Sequence, residues 1–330
     1  MRARSLLPPV PAAFFGIVLG LTGLGGCWRA AHDAWGLPAA AGEALMAMGG
    51  AVWAIVLLLY GAKWVNHRAA AMAEVNHPVQ CCFIGLAGVA TMLVAGGALP
   101  HSRPVALALY IPGAVFTLLF AVWRTGGLWQ GDRDPATTTA VLYLPTVAGS
   151  FVAGIVAAAL GYREAGQMAF GAGFFAWLAI ESVLLHRLLT APGLAAALRP
   201  TLGVQLAPPV VGALALISVA PDLPPVFPRL LVGYGLLQAL VLARLLPWIL
   251  KDGFTPAYWA FTFGATALAT TPIRLAARGD TGLMADLAPV LFLVANGVVG
   301  VVALGTVWCI LQGRLLPPPP AIPAAPATAP

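Results

Sequence analysis

Ten apolar stretches follow one another along this chain, each near the length of a membrane-spanning helix, with only short connections between them. A spanning helix needs about 20 mostly apolar residues. The stretches fall at about 10–28, 42–62, 80–99, 105–123, 138–160, 166–188, 202–220, 228–249, 256–274 and 285–311, leaving no room for a soluble domain. Charge separates alternate members of the series. Residues 11–28, 79–99, 138–160, 201–220 and 256–273 contain no Asp, Glu, Lys or Arg. The stretches between them hold or abut a charge, with Glu181, Arg124 and Arg244 at or inside the membrane boundary. An ionisable side chain inside a bilayer is costly. The alternation therefore predicts an inner and an outer set of helices, the inner set lining a pore with an uncharged, apolar or weakly polar wall.

Composition agrees with this placement. The chain has 330 residues, of which 60% are hydrophobic and 8% charged, where a soluble domain carries roughly 25% charged residues. The net charge of +6 reads as topology and not as nucleic-acid binding. With both termini in the cytoplasm, 11 of the 17 Lys and Arg residues fall on that side, as the positive-inside rule requires. The expected location is the inner (cytoplasmic) membrane, multi-pass, with the lipid bilayer as solvent. Leu24-Gly25-Gly26-Cys27 has the form of a lipoprotein cleavage site. Pro8, Pro9 and Pro11 interrupt the start of its apolar run and nine more spans follow, so the first stretch is read as a retained helix. Cys81 and Cys82 are read as small apolar fillers.

The uncharged stretches recur about every 60 residues, the length of one helical hairpin. Five tandem hairpins entering from one side differ from transporters built of two inverted halves. In a ring, one helix of each hairpin would stand at the centre. The fold class is thus all-α integral membrane: residues 1–9 as a cytoplasmic N-terminus, 10–312 as the ten-helix domain, and 313–330 as a disordered Pro/Ala-rich cytoplasmic tail. Glycine and proline, which permit close packing and bends, recur in the inner set, among them Gly88, Pro145, Pro208 and Gly264. Lys63, Arg124, Arg187 and Arg244 at the ends of outer helices read as snorkelling cations. Trp53, Trp64, Trp123, Trp129, Trp177 and Trp248 suit lipid-facing or interfacial positions.

Few residues suggest chemistry. Glu181 is the one acid deep within a span. An intramembrane ion pair with Arg124 and Arg244 is the expected role, and a proton carrier is the other that its place allows. The histidines fall in loops or at helix ends, and no metal-ligand spacing is present. No catalytic constellation stands out, so no enzyme, cofactor or metal is expected. Asp132, Asp134, Asp252 and Asp280 read as solvated loop acids. The segment Tyr258-Trp259-Ala260-Phe261-Thr262-Phe263-Gly264 crowds aromatics into an uncharged helix. Phe261 and Phe263 point about 200° apart on a helix, so one can face a central axis. A phenyl ring there would either pack or block ions, which avoid dewetted constrictions.

The chain resembles the tellurite-resistance/C4-dicarboxylate transporters, or TehA-like proteins, relatives of the plant slow anion channels. The resemblance rests on Phe15-Gly16-Ile17 and Leu19-Gly20-Leu21, Tyr143-Leu144-Pro145, Phe170-Gly171-Ala172-Gly173 with Ala176-Trp177, and Leu206-Ala207-Pro208. It continues through Gly233-Tyr234-Gly235, Leu237-Gln238, Arg244-Leu245, Pro247-Trp248-Ile249 and Trp259-Ala260-Phe261 with Phe263-Gly264. It implies five hairpins around a central pore, a homotrimer, pore-lining odd-numbered helices, and Phe263 as the ring that occludes the pore, with Phe261 left to packing. Pro145 and Pro208 keep the family's proline bends. No proline lies between residues 12 and 28 or 79 and 99, and Gly264 stands where the plant relatives have a bend-forming proline. The expected function is an anion channel passing small inorganic or organic anions such as chloride or nitrate. The alternative is a secondary carrier of a C4-dicarboxylate or tellurite oxyanion, coupled to protons through Glu181.

Overall fold

The computed structural model describes residues 8–316, and every regular element in them is helical. The α-helices are α1 (Phe15–Trp35), α2 (Ala39–Asn66), α3 (Arg68–Asn76), α4 (Leu86–Ala98), α5 (Arg103–Trp129) and α6 (Gly149–Ala159). They continue with α7 (Arg163–Thr190), α8 (Ala207–Val219), α9 (Val226–Ile249), α10 (Thr262–Ala277) and α11 (Leu283–Leu311). All ten expected segments are present. The short α3, between the first and second hairpins, is an addition that the sequence reading left as a connection.

Five hairpins form, pairing α1 with α2, α4 with α5, α6 with α7, α8 with α9 and α10 with α11. Their first members close a ring, in which α1 packs on α4, α4 on α6, α6 on α8, α8 on α10, and α10 back on α1. Burial follows the charge alternation. In α1, α4, α6 and α8, taken with their leading turns, 61–78% of the most apolar window is buried, against 17–33% in the outer helices. Uncharged helices can occupy the ring because neighbours, not water, surround them. The outer helices present Leu, Val and Ile to lipid, as at Leu58, Leu118, Leu189, Leu240 and Leu304.

Among the described residues, nine helices are long and apolar enough to cross a membrane, and α10 is not one of them. It carries Thr262, Thr266, Thr270, Thr271 and Arg274. Those four threonines are nonetheless buried, because α1, α8 and α11 enclose α10. Shielding from lipid lets this position of the ring be more polar than a helix facing the bilayer.

The inner helices share a second property that charge could not reveal. Each begins with tighter or looser turns before becoming α: 3-10 turns at Ala12–Phe14, Gln80–Gly85, Ala140–Leu142, Ala196–Leu206 and Pro256–Phe261, with a π segment at Leu144–Ala148. The long outer helices α2, α5, α7 and α11 are α from their first turn, 27–29 residues each. Such changes of pitch mark helices under local constraint. Pro145 lies within the π segment and Pro208 opens α8 straight after its 3-10 run. The same change occurs in α1 and α4, where no proline lies inside the span.

Candidate functional site

Two cavities lie on the axis of the ring. The larger, about 850 Å³, is lined by Ile17, Leu86, Val147, Val211 and Phe263, one from each hairpin. The smaller, about 340 Å³, takes Gly23, Leu93, Val156, Leu214 and Phe263 from the same five hairpins. A void touched by all five inner helices can only be axial. Phe263 is the one described residue that lines both. It is half-buried, and Gly23 on α1 lies against it: a Cβ on Gly23 would meet Phe263 Cδ2 at 3.1 Å. Gly23 leaves room first for the Thr266 hydroxyl, which a Cβ would meet well inside contact distance, and then for the ring. Phe261 does something else. It stacks on Tyr258 with centroids 6.1 Å apart and fills the space over Gly203, where a Cβ would come within 2.5 Å of its Cδ2. The two phenylalanines diverge as their helical spacing requires.

The larger cavity opens where the two ends of the described residues meet, since Pro11 and Arg314, Leu315 and Leu316 line it together. Of the tail expected over 313–330, the described residues 313–316 lie against the helices. Gly313 turns the chain with φ 66°, and Arg314 N–H donates to Cys309 O at 2.8 Å. Leu315 and Leu316 then pack on the core, as apolar side chains beside an open apolar mouth should. Residues 317–330 and 1–7 lie outside the described residues.

Of the expected helix bends, Gly88 and Gly264 are places of close approach. A Cβ on Gly264 would lie 2.9 Å from Leu206 Cγ and 3.1 Å from Ala207 N, so α10 and α8 touch at their pitch changes. At Gly88 a Cβ would lie 2.8 Å from Gly113 O, which brings α4 against α5.

Among the described residues Glu181 is not in an ion pair, and neither Arg124 nor Arg244 pairs with it. Arg124 donates to Pro78 O at 2.8 Å, and Arg244 is exposed on the outer face of α9. The Glu181 carboxyl instead accepts from neutral donors: Tyr143 Oη, Trp177 Nε1 at 2.9 Å, Tyr234 Oη at 2.5 Å, Gln205 Nε2 at 3.0 Å and Gln238 Nε2 at 3.4 Å. All five partners can donate, which suits an acceptor-only carboxylate. A buried carboxyl needs such partners because desolvation without them is expensive. The cage ties outer α7 and α9 to the leading turns of inner α6 and α8. Tyr143 also lines the larger cavity, but Glu181 lines neither. Trp177, expected at the lipid face, is 3% exposed because its indole serves this cage.

A second buried acid, Glu74 on α3, was not singled out by the sequence reading. It accepts from Lys63 Nζ at 2.8 Å, Tyr60 Oη at 3.0 Å and Ala12 N at 2.9 Å. Lys63 is therefore buried and paired, not snorkelling. Glu74 caps the first turn before α1 and lies at the mouth of the larger cavity. A signal was available in the spacing: Tyr60 and Lys63 share a face of α2 three residues apart, and Glu74 is the one acid in the connection that follows. Two loop acids also do more than face solvent. Asp252 pairs with Arg199 at 2.6 Å and Asp280 with Arg229 at 2.7 Å, fastening helix ends.

A family model described as "Voltage-dependent anion channel", SLAC1, matches residues 9–307. The chain is 33% identical over 308 residues to a protein named tellurite resistance protein TehA homolog from Haemophilus influenzae, covering 93% of this chain and 92% of that one. It is 26% identical over 242 residues to the S-type anion channel SLAH2 of Arabidopsis thaliana, covering 68% and 44% respectively. An uncharacterized transporter of Methanocaldococcus jannaschii is 25% identical over 239 residues, covering 63% and 68%. The motifs that carried the resemblance, from Phe15 to Gly264, all lie inside the matched stretch.

Proposed function

Because the chain belongs to the SLAC1 voltage-dependent anion channel family, we propose that it passes small anions such as chloride or nitrate along the axis of the five-hairpin ring, with the Phe263 ring occluding that path at rest. The observation that carries this reading is the position of Phe263, lining the cavity on either side of it. Ile17, Leu86, Val147 and Val211 make the approach to the ring apolar. A hydrated ion gains nothing from such a wall in exchange for its water, so a phenyl ring there is an effective barrier. Conduction needs the ring to turn or the inner helices to part. This reading puts the protein in the inner membrane with both termini on the side that carries most of its basic residues, and takes it as a homotrimer on the family resemblance alone.

The test is current across planar bilayers containing the purified protein, wild type beside Phe263→Ala, under a salt gradient. Large ohmic currents reversing near the anion potential are expected in the variant and small ones in wild type. Equal, small currents from a folded Phe263→Ala protein would overturn the assignment of Phe263. The alternative, a proton-coupled carrier of a dicarboxylate or tellurite oxyanion, needs a titrating group on the path. Glu181 lines neither cavity and has donors on both oxygens, so no observation favours that reading.

A further inference from the structure

We infer that Arg274 forms an anion-binding site in the smaller cavity, holding a small monovalent anion such as nitrate or chloride at the end of the axis opposite Pro11 and Leu316. The inference rests on the transport reading above and names where the path first grips its cargo.

An anion that leaves water needs hydrogen-bond donors, and the cavity has few to give. Its four hydroxyls all donate to carbonyls of their own helices. Thr22 donates to Val18 O at 2.7 Å and Ser218 to Leu214 O at 2.8 Å. Thr266 donates to Phe263 O at 2.9 Å and Thr270 to Thr266 O at 2.7 Å. Three arginines also line this cavity. Arg29 is engaged bidentately by Glu43 at 2.7 and 2.8 Å and reaches Gly97 O at 3.0 Å. Arg278 donates to Ile217 O at 3.1 Å. Arg274 alone of the three makes no hydrogen bond or ion pair among the described residues, although it is half-buried and has five N–H groups. Asp33 acts on its charge without pairing to it. No Asp or Glu lines the cavity among the described residues.

The guanidinium has donors that no acceptor among the described residues takes, and they are open to the cavity it lines. A mobile anion supplies what the protein withholds. The placement is also right for a path and not a trap. Phe263, Thr266, Thr270 and Arg274 follow at spacings of three and four on one face of α10, and Arg278 stands just past its end. At 1.5 Å per residue, Arg274 stands roughly 16 Å beyond Phe263. An anion gathered there is concentrated before the constriction but is not fixed within it, and throughput requires binding weak enough to release.

The test uses the full chain and two readouts. The first is nitrate binding to purified protein by calorimetry, with gluconate as the control anion. The second is the nitrate concentration giving half-maximal current in the Phe263→Ala background. Arg274→Gln should raise both the dissociation constant and the half-maximal concentration on the order of tenfold, the loss of one charge-assisted contact. Arg274→Lys, which keeps the charge, should lose less. Arg163→Gln removes an exposed charge paired loosely with Asp222 at 3.5 Å and outside the lining of the cavity, and should move neither. An unchanged constant in folded Arg274→Gln overturns the site. So does an equal shift in Arg163→Gln, which would mean a general surface field. Binding that depends on Arg274 in a protein that passes no current would leave the site standing and defeat the channel reading.

Discussion

The two cavities that meet at Phe263 differ in size, in polarity and in what closes them. The larger one is walled by aliphatic and aromatic side chains, with Pro11, Leu315, Leu316, Glu74 and His77 about its mouth. The smaller one mixes aliphatic side chains such as Leu93, Val156 and Leu214 with glycines and four hydroxyls, and ends among three arginines. On the large side the inner helices are in their 3-10 and π turns; on the small side they have become regular α. The pitch change and the constriction thus fall in the same region, where α10 passes from Phe261 to Thr262. On the proposed reading, the irregular half would set how wide the axis is, and the regular half which charge it favours. One ring of helices can separate these tasks because each helix changes character partway along.

The strongest way to break this comparison is to spoil the contact where the two halves join. Gly264→Val would drive a side chain into Leu206 and the backbone N of Ala207, within about 3 Å. Overpacking against backbone costs about 3 kcal/mol. The expected result is loss of thermal stability well beyond that of Gly97→Ala, where a Cβ meets the flexible Met46 Sδ at 3.3 Å. Equal stability of the two variants would show that the close approach of α8 and α10 is not needed.

Next comes the ring itself. A size series at residue 263, from Phe through Leu to Ala, should raise anion current in that order, Ala by tenfold or more, on the order of 1.4 kcal/mol off the barrier. Gly23→Ala puts a Cβ well inside contact distance of Thr266 Oγ1 and 3.1 Å from Phe263 Cδ2, crowding both from α1. It should lower the wild-type current more than the Phe263→Ala current. If Gly23→Ala lowers both equally, it acts through Thr266 and α1 and not through the ring.

Smaller effects sharpen the large-cavity side. Tyr143 lines that cavity and donates to Glu181 behind it. Tyr143→Phe keeps the apolar wall and removes one donor from a carboxyl that retains Trp177, Gln205 and Tyr234. A loss of about 1 kcal/mol in stability is expected, with current changed less than stability. A change in anion selectivity instead would place the Tyr143 hydroxyl on the path.

What could be read from the sequence follows what charge can report. Uncharged and charge-bearing stretches alternate because lipid and solvent tolerate charge only at helix ends, so the ring and its outer shell were legible before any packing was known. The cage around Glu181 was not. Tyr143, Gln205, Tyr234 and Gln238 lie 24 to 57 residues from it, and an arginine at similar depth looked the better partner. Gln205 and Gln238, amides inside apolar helices, were the available clue. Lys63 was misread for the same reason, its partner standing on a helix that composition did not suggest. Phe263 was distinguished from Phe261 only through the family resemblance, since periodicity says that the two diverge but not which one meets an axis. Arg274 was counted as a topological charge, because a sequence does not show that every other donor around it is already engaged.

The mouth of the larger cavity offers the gentlest test. Leu315 and Leu316 are half-buried and line the opening, beyond the turn at Gly313 that ends α11. They narrow the entrance without reaching the constriction, which belongs to the inner helices. Resistances along one path add in series, so a change at a wide mouth alters the total far less than a change at the narrowest point. Leu315→Ser with Leu316→Ser should therefore change the open current of Phe263→Ala by less than about twofold, while making the entrance easier to wet. A change as large as that from Phe263→Ala itself would move the dominant barrier from the ring to the mouth. It would also reverse the comparison, making the end near Pro11 and Leu316 the one that limits flow.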